Sequence, residues 1–154
     1  MLFNIDKCHI LHFGVINPCR EYQINSHPQK RVEYKKDLGV HINSTCTRSR
    51  HVAADALKGN QALEQLLRAF TYRDRRAYLK LYKQYIRPHL ECSVLSWSPW
   101  LQKDVELIEN VQKRAIKAVS RLNGSYEDKL GILLLQSFLD HCLRGDMVQT
   151  YKIM

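Results

Sequence analysis

The apolar periodicity of this chain changes at Thr47, and that change decides what it can fold into. Before Thr47, apolar and polar residues alternate in short runs broken by turn formers. After it, apolar residues recur at steps of three, four or seven. Near-alternation suits half-buried strands, and the longer steps suit amphipathic helices. The expectation is an α+β fold: a small antiparallel β-hairpin region at the N-terminus, residues 1–45, followed by a helical bundle over 46–154.

The strand pieces are short. CHILHF (8–13) is followed by turn chemistry at Gly14 and Asn17-Pro18, and EYQIN (21–25) is expected to pair back onto it. A break at Ser26-His27-Pro28 precedes two more pieces, 31–34 and 38–42. In the second part, Val52, Ala56, Leu63, Leu66 and Phe70 mark the buried side of a first helix, with Arg48, Asp55, Lys58, Gln65 and Arg68 outside. Gly59-Asn60 is expected to weaken or kink it. A second helix starts near Asp74, with Thr71 or Asp74 as cap, and breaks near Arg87 because Pro88 follows. A third runs from about Lys103 to Leu122, burying Val105, Ile108, Val111, Ala115, Val119 and Leu122, and Asn123-Gly124 ends it. A last helix spans about Gln136 to Lys152.

Of 154 residues, 45% are apolar, enough for a core. No apolar run approaches the roughly 20 residues needed to span a bilayer, and the start does not read as a signal peptide. Five scattered cysteines suit free thiols in a reducing compartment, so an intracellular location, cytoplasmic or nuclear, is expected. The net charge of +9 is uneven: residues 46–90 carry 10 basic and 3 acidic side chains, which leaves +7 there. A polyanion-facing surface and a merely solvated basic face are both consistent with that excess.

On an ideal second helix, with Arg76 at zero, Lys80 falls at about 40°, Lys83 at about −20° and Arg87 at about 20°. Four cations share one stripe, and Leu79, Leu81, Tyr82, Tyr85 and Ile86 fall opposite. Such a stripe either solubilises the helix or tracks phosphates. Lys113, Lys117 and Arg121 recur late on the third helix. Cys8, His9 and His12 are not expected to hold a metal, because Cys8 and His12 on one strand face lie about 13 Å apart. No cofactor is expected, and no hydrolase or P-loop motif occurs. Trp97 and Trp100 are expected in the core rather than stacked on bases. The segment ILLLQSFL (132–139) exposes an apolar surface unless something covers it, and a different packing of the chain's end, a partner, self-association, or drift of the reading frame are the alternatives.

Five runs resemble, in order, the C-terminal part of the reverse transcriptase of LINE-type (non-LTR), jockey-like retrotransposons. They are FNIDKCHILHFG from Phe3, KKDLGVHI from Lys35, FTYRDRRAYLKLYKQYIRPHLE from Phe70, RPHLECSVLSWSPWLQKDVELIENVQKRAIK from Arg87, and LRGDMVQTYKIM at the end. The resemblance implies a palm remnant and primer-grip-like hairpin in 1–45, with Leu38 and Gly39 at the grip. It implies a thumb over 46–154 that holds template and primer by their backbones. Arg76, Lys80, Lys83, Arg87, Lys113, Lys117 and Arg121 are then the candidates for nucleic-acid contact. Lys7 matches a lysine thought to assist nucleotidyl transfer. The metal-binding aspartates of that family lie in a YADD-type turn upstream, so a non-catalytic fragment is expected. After Tyr126 the resemblance weakens, since LGILLLQSFLDHCLRGDM stands where relatives carry a charged LEERR-type helix start. The alternatives are a helical interaction or self-associating module, and an element remnant with no selected function.

Overall fold

Turn chemistry, more than strand propensity, shapes the first fifty residues. The structure, a computed structural model, describes residues 4–14, 16–72, 74–91, 99, 101–119 and 122–154. Two antiparallel pairs form around tight turns. Strand β2 (Gln23–Ile24) pairs with β3 (His27–Pro28), and β5 (Tyr34–Asp37) pairs with β6 (Val40–Asn43). Both links are two-residue turns with positive φ at each central residue: Asn25 (49°) and Ser26 (66°), then Leu38 (46°) and Gly39 (92°). That pattern is what type I′ hairpins need. The expected pairing of 21–25 with 8–13 does not occur. Instead β1 (His9–Ile10) runs parallel to β4 (Lys30–Arg31), because 21–25 closes locally onto its own turn. None of the described residues before Arg50 is buried. The chain divides into two compact units, Met1–Arg50 and His51–Met154.

The second unit is helical, and its core lies between the helices. α1 (Ser49–Ala69) runs through Gly59-Asn60 without a break. Gly59 is buried, and a Cβ there would lie 2.6 Å from the Leu90 Cδ2 and 3.4 Å from the Val111 Cγ1. The glycine is therefore a site of close helix approach, and what it loses in helix propensity is recovered in contact. Asp55, expected outside, is fully buried. Its carboxylate meets Lys58 Nζ at 2.6 Å and His51 Nε2 at 3.2 Å.

Helix α2 starts at Arg75, where Asp74 accepts the backbone N–H groups of Arg76 and Ala77. It does not stop before Pro88. The α-helical stretch Arg75–Leu81 passes through a π turn, Tyr82–Ile86, and resumes as Arg87–Leu90. In an α-helix the proline ring meets the carbonyl four residues back. The π turn adds a residue, so Arg87 N–H donates to the Tyr82 carbonyl and the chain passes Pro88 still helical.

Helix α3 (Gln102–Lys117) ends earlier than expected but buries Ile108, Val111, Ala115 and Ile116 as its periodicity requires. Helix α4 (Tyr126–Leu133) was not anticipated, although Ser125 and Asp128 form a capping box that the sequence displays. It ends in a left-handed residue, Leu134 (φ 51°): Leu134 N–H donates to the Gly131 carbonyl and Leu135 N–H to that of Leu130. α5 (Phe138–Ile153) starts from the Ser137 cap. Segment 132–139 is thus divided: Leu133, Leu135 and Phe138 are core, while Ile132 and Leu139 are exposed and Leu134 stands 88% exposed at the turn.

Two measurements check this packing. Gly59→Val should cost about 2 kcal/mol in urea unfolding, since the added side chain meets buried Leu90 and Val111. Leu134→Gly should raise stability by about 1 kcal/mol, because it relieves a left-handed leucine and gives up almost no burial. Phe138→Ser should do the opposite and lower the melting temperature sharply.

Candidate nucleic-acid interface

The π turn decides which cations share a surface. Through Leu81 the helix is regular, so Arg76 and Lys80 lie on its outward side, opposite buried Tyr78 and Tyr82. Lys83, inside the π turn, is exposed as well. The extra residue then turns everything after it back by about one residue's rotation, roughly 100°. Arg87 leaves the stripe. It lies half-buried and donates its Nε–H to Glu91, whose Oε1 also lies 3.2 Å from His141 Nε2. Four cations on an ideal wheel become three on the real helix. Tyr85, expected on the buried side, is turned into solvent by the same widening and is 60% exposed.

The two helices that carry the candidates meet through their uncharged faces. Tyr82 OH donates to Gln112 Oε1 at 2.8 Å, and Tyr78, Leu79 and Tyr82 line one small void with Ala115, Ile116 and Val119. Lys117 lies about 150° around α3 from that face, and Lys80 lies about opposite it on α2. The two basic groups therefore point away from each other. Lys113 sits with its Nζ 5.3 Å from the Tyr126 ring centre, a cation–π contact that holds it against α4. Arg121 lies outside the described residues, as do Trp97 and Trp100.

The expected grip residues, Leu38 and Gly39, are the turn of the β5–β6 hairpin, and Leu38 is 95% exposed. Gly39 is needed there for its φ of 92° rather than for closeness, since nothing lies within 4 Å of where a Cβ would be. Lys7 is exposed at the end of a short 3₁₀ turn, and its carbonyl accepts from Lys35 Nζ at 3.4 Å. Among the described residues, no cluster of three or more His, Cys, Asp or Glu side chains converges to hold a metal ion. No described helix is long and apolar enough to cross a membrane.

Sequence reasoning missed a buried polar chain. Gln112 accepts from Tyr82 and donates through Nε2 to Tyr126 OH and to the Gln136 carbonyl, each at 3.1 Å. Tyr126 OH donates to Glu109, whose other oxygen accepts Phe138 N–H at 3.0 Å. Burial pushes both phenols well above the ordinary 10.0, and Glu109 raises Tyr126 further. Burial, with Asp146 adding to it, pushes the Cys142 thiol up from 9.0 to about 12. The only sequence signal was polar Gln112 at a position the helical period assigns to the inside.

No family model, curated protein or solved structure matches the chain.

The pH dependence of stability follows from these shifts. The native state keeps protons that the unfolded chain releases above pH 9.0 for the thiol and 10.0 for the phenols. Unfolding then sheds protons, so what these three groups contribute to stability is level below about pH 9 and falls as pH rises beyond it. Urea midpoints from about pH 8 to 11 should trace that fall. Tyr82→Phe should flatten the part above pH 10 and also lower stability at neutral pH, because Gln112 Oε1 loses its donor.

Proposed function

We propose that the chain is a thumb-like nucleic-acid-binding module, of retrotransposon reverse-transcriptase descent, that holds a phosphate backbone on the outward face of α2. It is read as a binding module rather than an enzyme. One observation carries the reading. Residues 46–90 hold the chain's basic excess, and five of their ten cations are occupied within the fold. Lys58 is held by Asp55, Arg68 by Glu64, and Arg87 by Glu91. Arg75 donates to the Ile132 carbonyl, and Arg50 stacks 3.7 Å from the Tyr34 ring centre. Among the described residues, Arg76, Lys80 and Lys83 have no such side-chain partner, and all three lie exposed on one helix. Partnerless cations in line on a rigid element suit contact with successive phosphates, without reading bases. The resemblance of FTYRDRRAYLKLYKQYIRPHLE to a thumb segment points the same way.

A second reading, self-association, has its own observation. Leu139, Leu143, Met147 and Tyr151 recur every four residues along α5, and all four are exposed. A second copy of the chain is the occupant this face would take. Sedimentation at rising concentration separates the readings, because a dimer forms without nucleic acid.

The triple substitution Arg76→Gln, Lys80→Gln and Lys83→Gln should weaken binding to duplexes of every sequence alike. The slope of log affinity against log salt should shrink by about 2 to 3, with helix content preserved because glutamine is a good helix former. Arg87→Gln is the contrast. It should leave the salt slope alone and cost about 1 kcal/mol of stability, since Glu91 loses its arginine and keeps only His141 beside it. An unaltered slope in the triple variant would reduce α2 to a solvated face.

A further inference from the structure

We infer that the groove between α1 and α2 receives an unpaired nucleobase, so that the module prefers single-stranded nucleic acid to closed duplex. The inference rests on the phosphate-binding reading and adds to it the part of the ligand that α2's cations cannot recognise. The groove has a volume of about 340 Å³, at the small end for ligand sites and suited to one planar ring system rather than to a helix of a partner protein. Leu66 and Ala69 of α1 line it with apolar surface, Phe70 just past α1 and Tyr85 of α2 add rings, and Gln65 and His89 bring polar groups. Both rings are open to solvent. Phe70 is 45% exposed and Tyr85 60%.

Tyr85 owes its position to the π turn. On an uninterrupted helix it falls on the same side as Tyr82; the widened turn rotates it outward and into the groove. Widened turns of this kind recur at functional sites. The same helix carries Lys80 about a quarter-turn from Tyr85. A cationic line beside an aromatic slot is the arrangement that binds single strands: phosphates follow the charges, and a splayed base stacks in the slot. The charge selects a polyanion over an apolar peptide or a neutral ligand, since +7 of the net charge lies in residues 46–90, which contain every residue lining this groove. Every base has a stacking face, so the groove discriminates paired from unpaired bases and not one sequence from another.

The probe is a short thymidine oligomer carrying one central 2-aminopurine, compared with a blunt duplex of equal length. Binding should quench the 2-aminopurine fluorescence, and at matched salt the oligomer should bind more tightly than the duplex. The double variant Phe70→Leu and Tyr85→Leu keeps the groove apolar but removes both rings. It should abolish the quench and weaken oligomer binding roughly tenfold or more, with duplex affinity and salt slope unchanged. If the double variant loses its helical spectrum, Tyr85→Leu alone carries the comparison, because that ring lies mostly in solvent. An unchanged quench and affinity in a folded variant, with duplex binding intact, overturns the groove as a base site and leaves the phosphate reading standing. Failure of the parent protein to bind either probe overturns both.

Discussion

A single buried amide holds the second unit to one arrangement. Gln112 sits where three helices and a loop converge, and its side chain is satisfied only when Tyr82, Tyr126 and the Gln136 carbonyl are all in place. Apolar burial across the core, which includes Ile86, Ile108, Leu133 and Phe138, supplies the driving force, but such contacts tolerate sliding by a fraction of a turn. The amide does not, because a buried polar group left without its partner costs about 1–3 kcal/mol. Through Tyr126 and Glu109 the same chain of bonds reaches the first turn of α5. The direction in which α2 presents Arg76, Lys80 and Lys83 to solvent is set by this anchoring of Tyr82.

What could be read from the sequence was whatever depends on spacing alone. The change at Thr47, the buried residues Val52, Ala56, Leu63 and Leu66, the Asp74 cap and the inner face of α3 all follow from period and capping chemistry. What could not be read depends on partners distant in the chain. Gly59 looks like a weak point until Leu90 is known to press on it. Asp55 looks like surface until Lys58 and His51 close over it. The segment 132–139 looks like an open apolar strip because nothing in its composition says that a left-handed Leu134 divides it between two helices. In each case local propensity is overridden by packing.

The first unit obeys a different rule. Its hairpins are defined by turns at positive φ, and none of its described residues is buried, so little hydrophobic burial fixes the pairing of one segment with another. That is why β1 finds a parallel partner in β4 when alternation alone points to an antiparallel one. A hairpin of four-residue strands with an exposed leucine at its tip is marginal by itself. Its stability depends on local contacts, such as Arg50 over Tyr34 and the bonds Asn43 makes to Thr47.

Charge counting and charge placement give different answers in this protein, and the fold decides between them. An ideal wheel credits α2 with four aligned cations and adds three from α3. Pro88 changes that sum. Because a proline inside the helix requires a wider turn, Arg87 is carried round to Glu91 and Tyr85 is carried out to the α1 groove. One backbone irregularity thus removes a charge from the proposed phosphate track and puts an aromatic ring beside it. On the proposed reading, the ionic part of binding is weaker than composition suggests, and a stacking contribution becomes available. The proposed preference for single strands over duplex follows from that, because stacking needs a base free of its pair while three phosphate contacts alone are satisfied by either form.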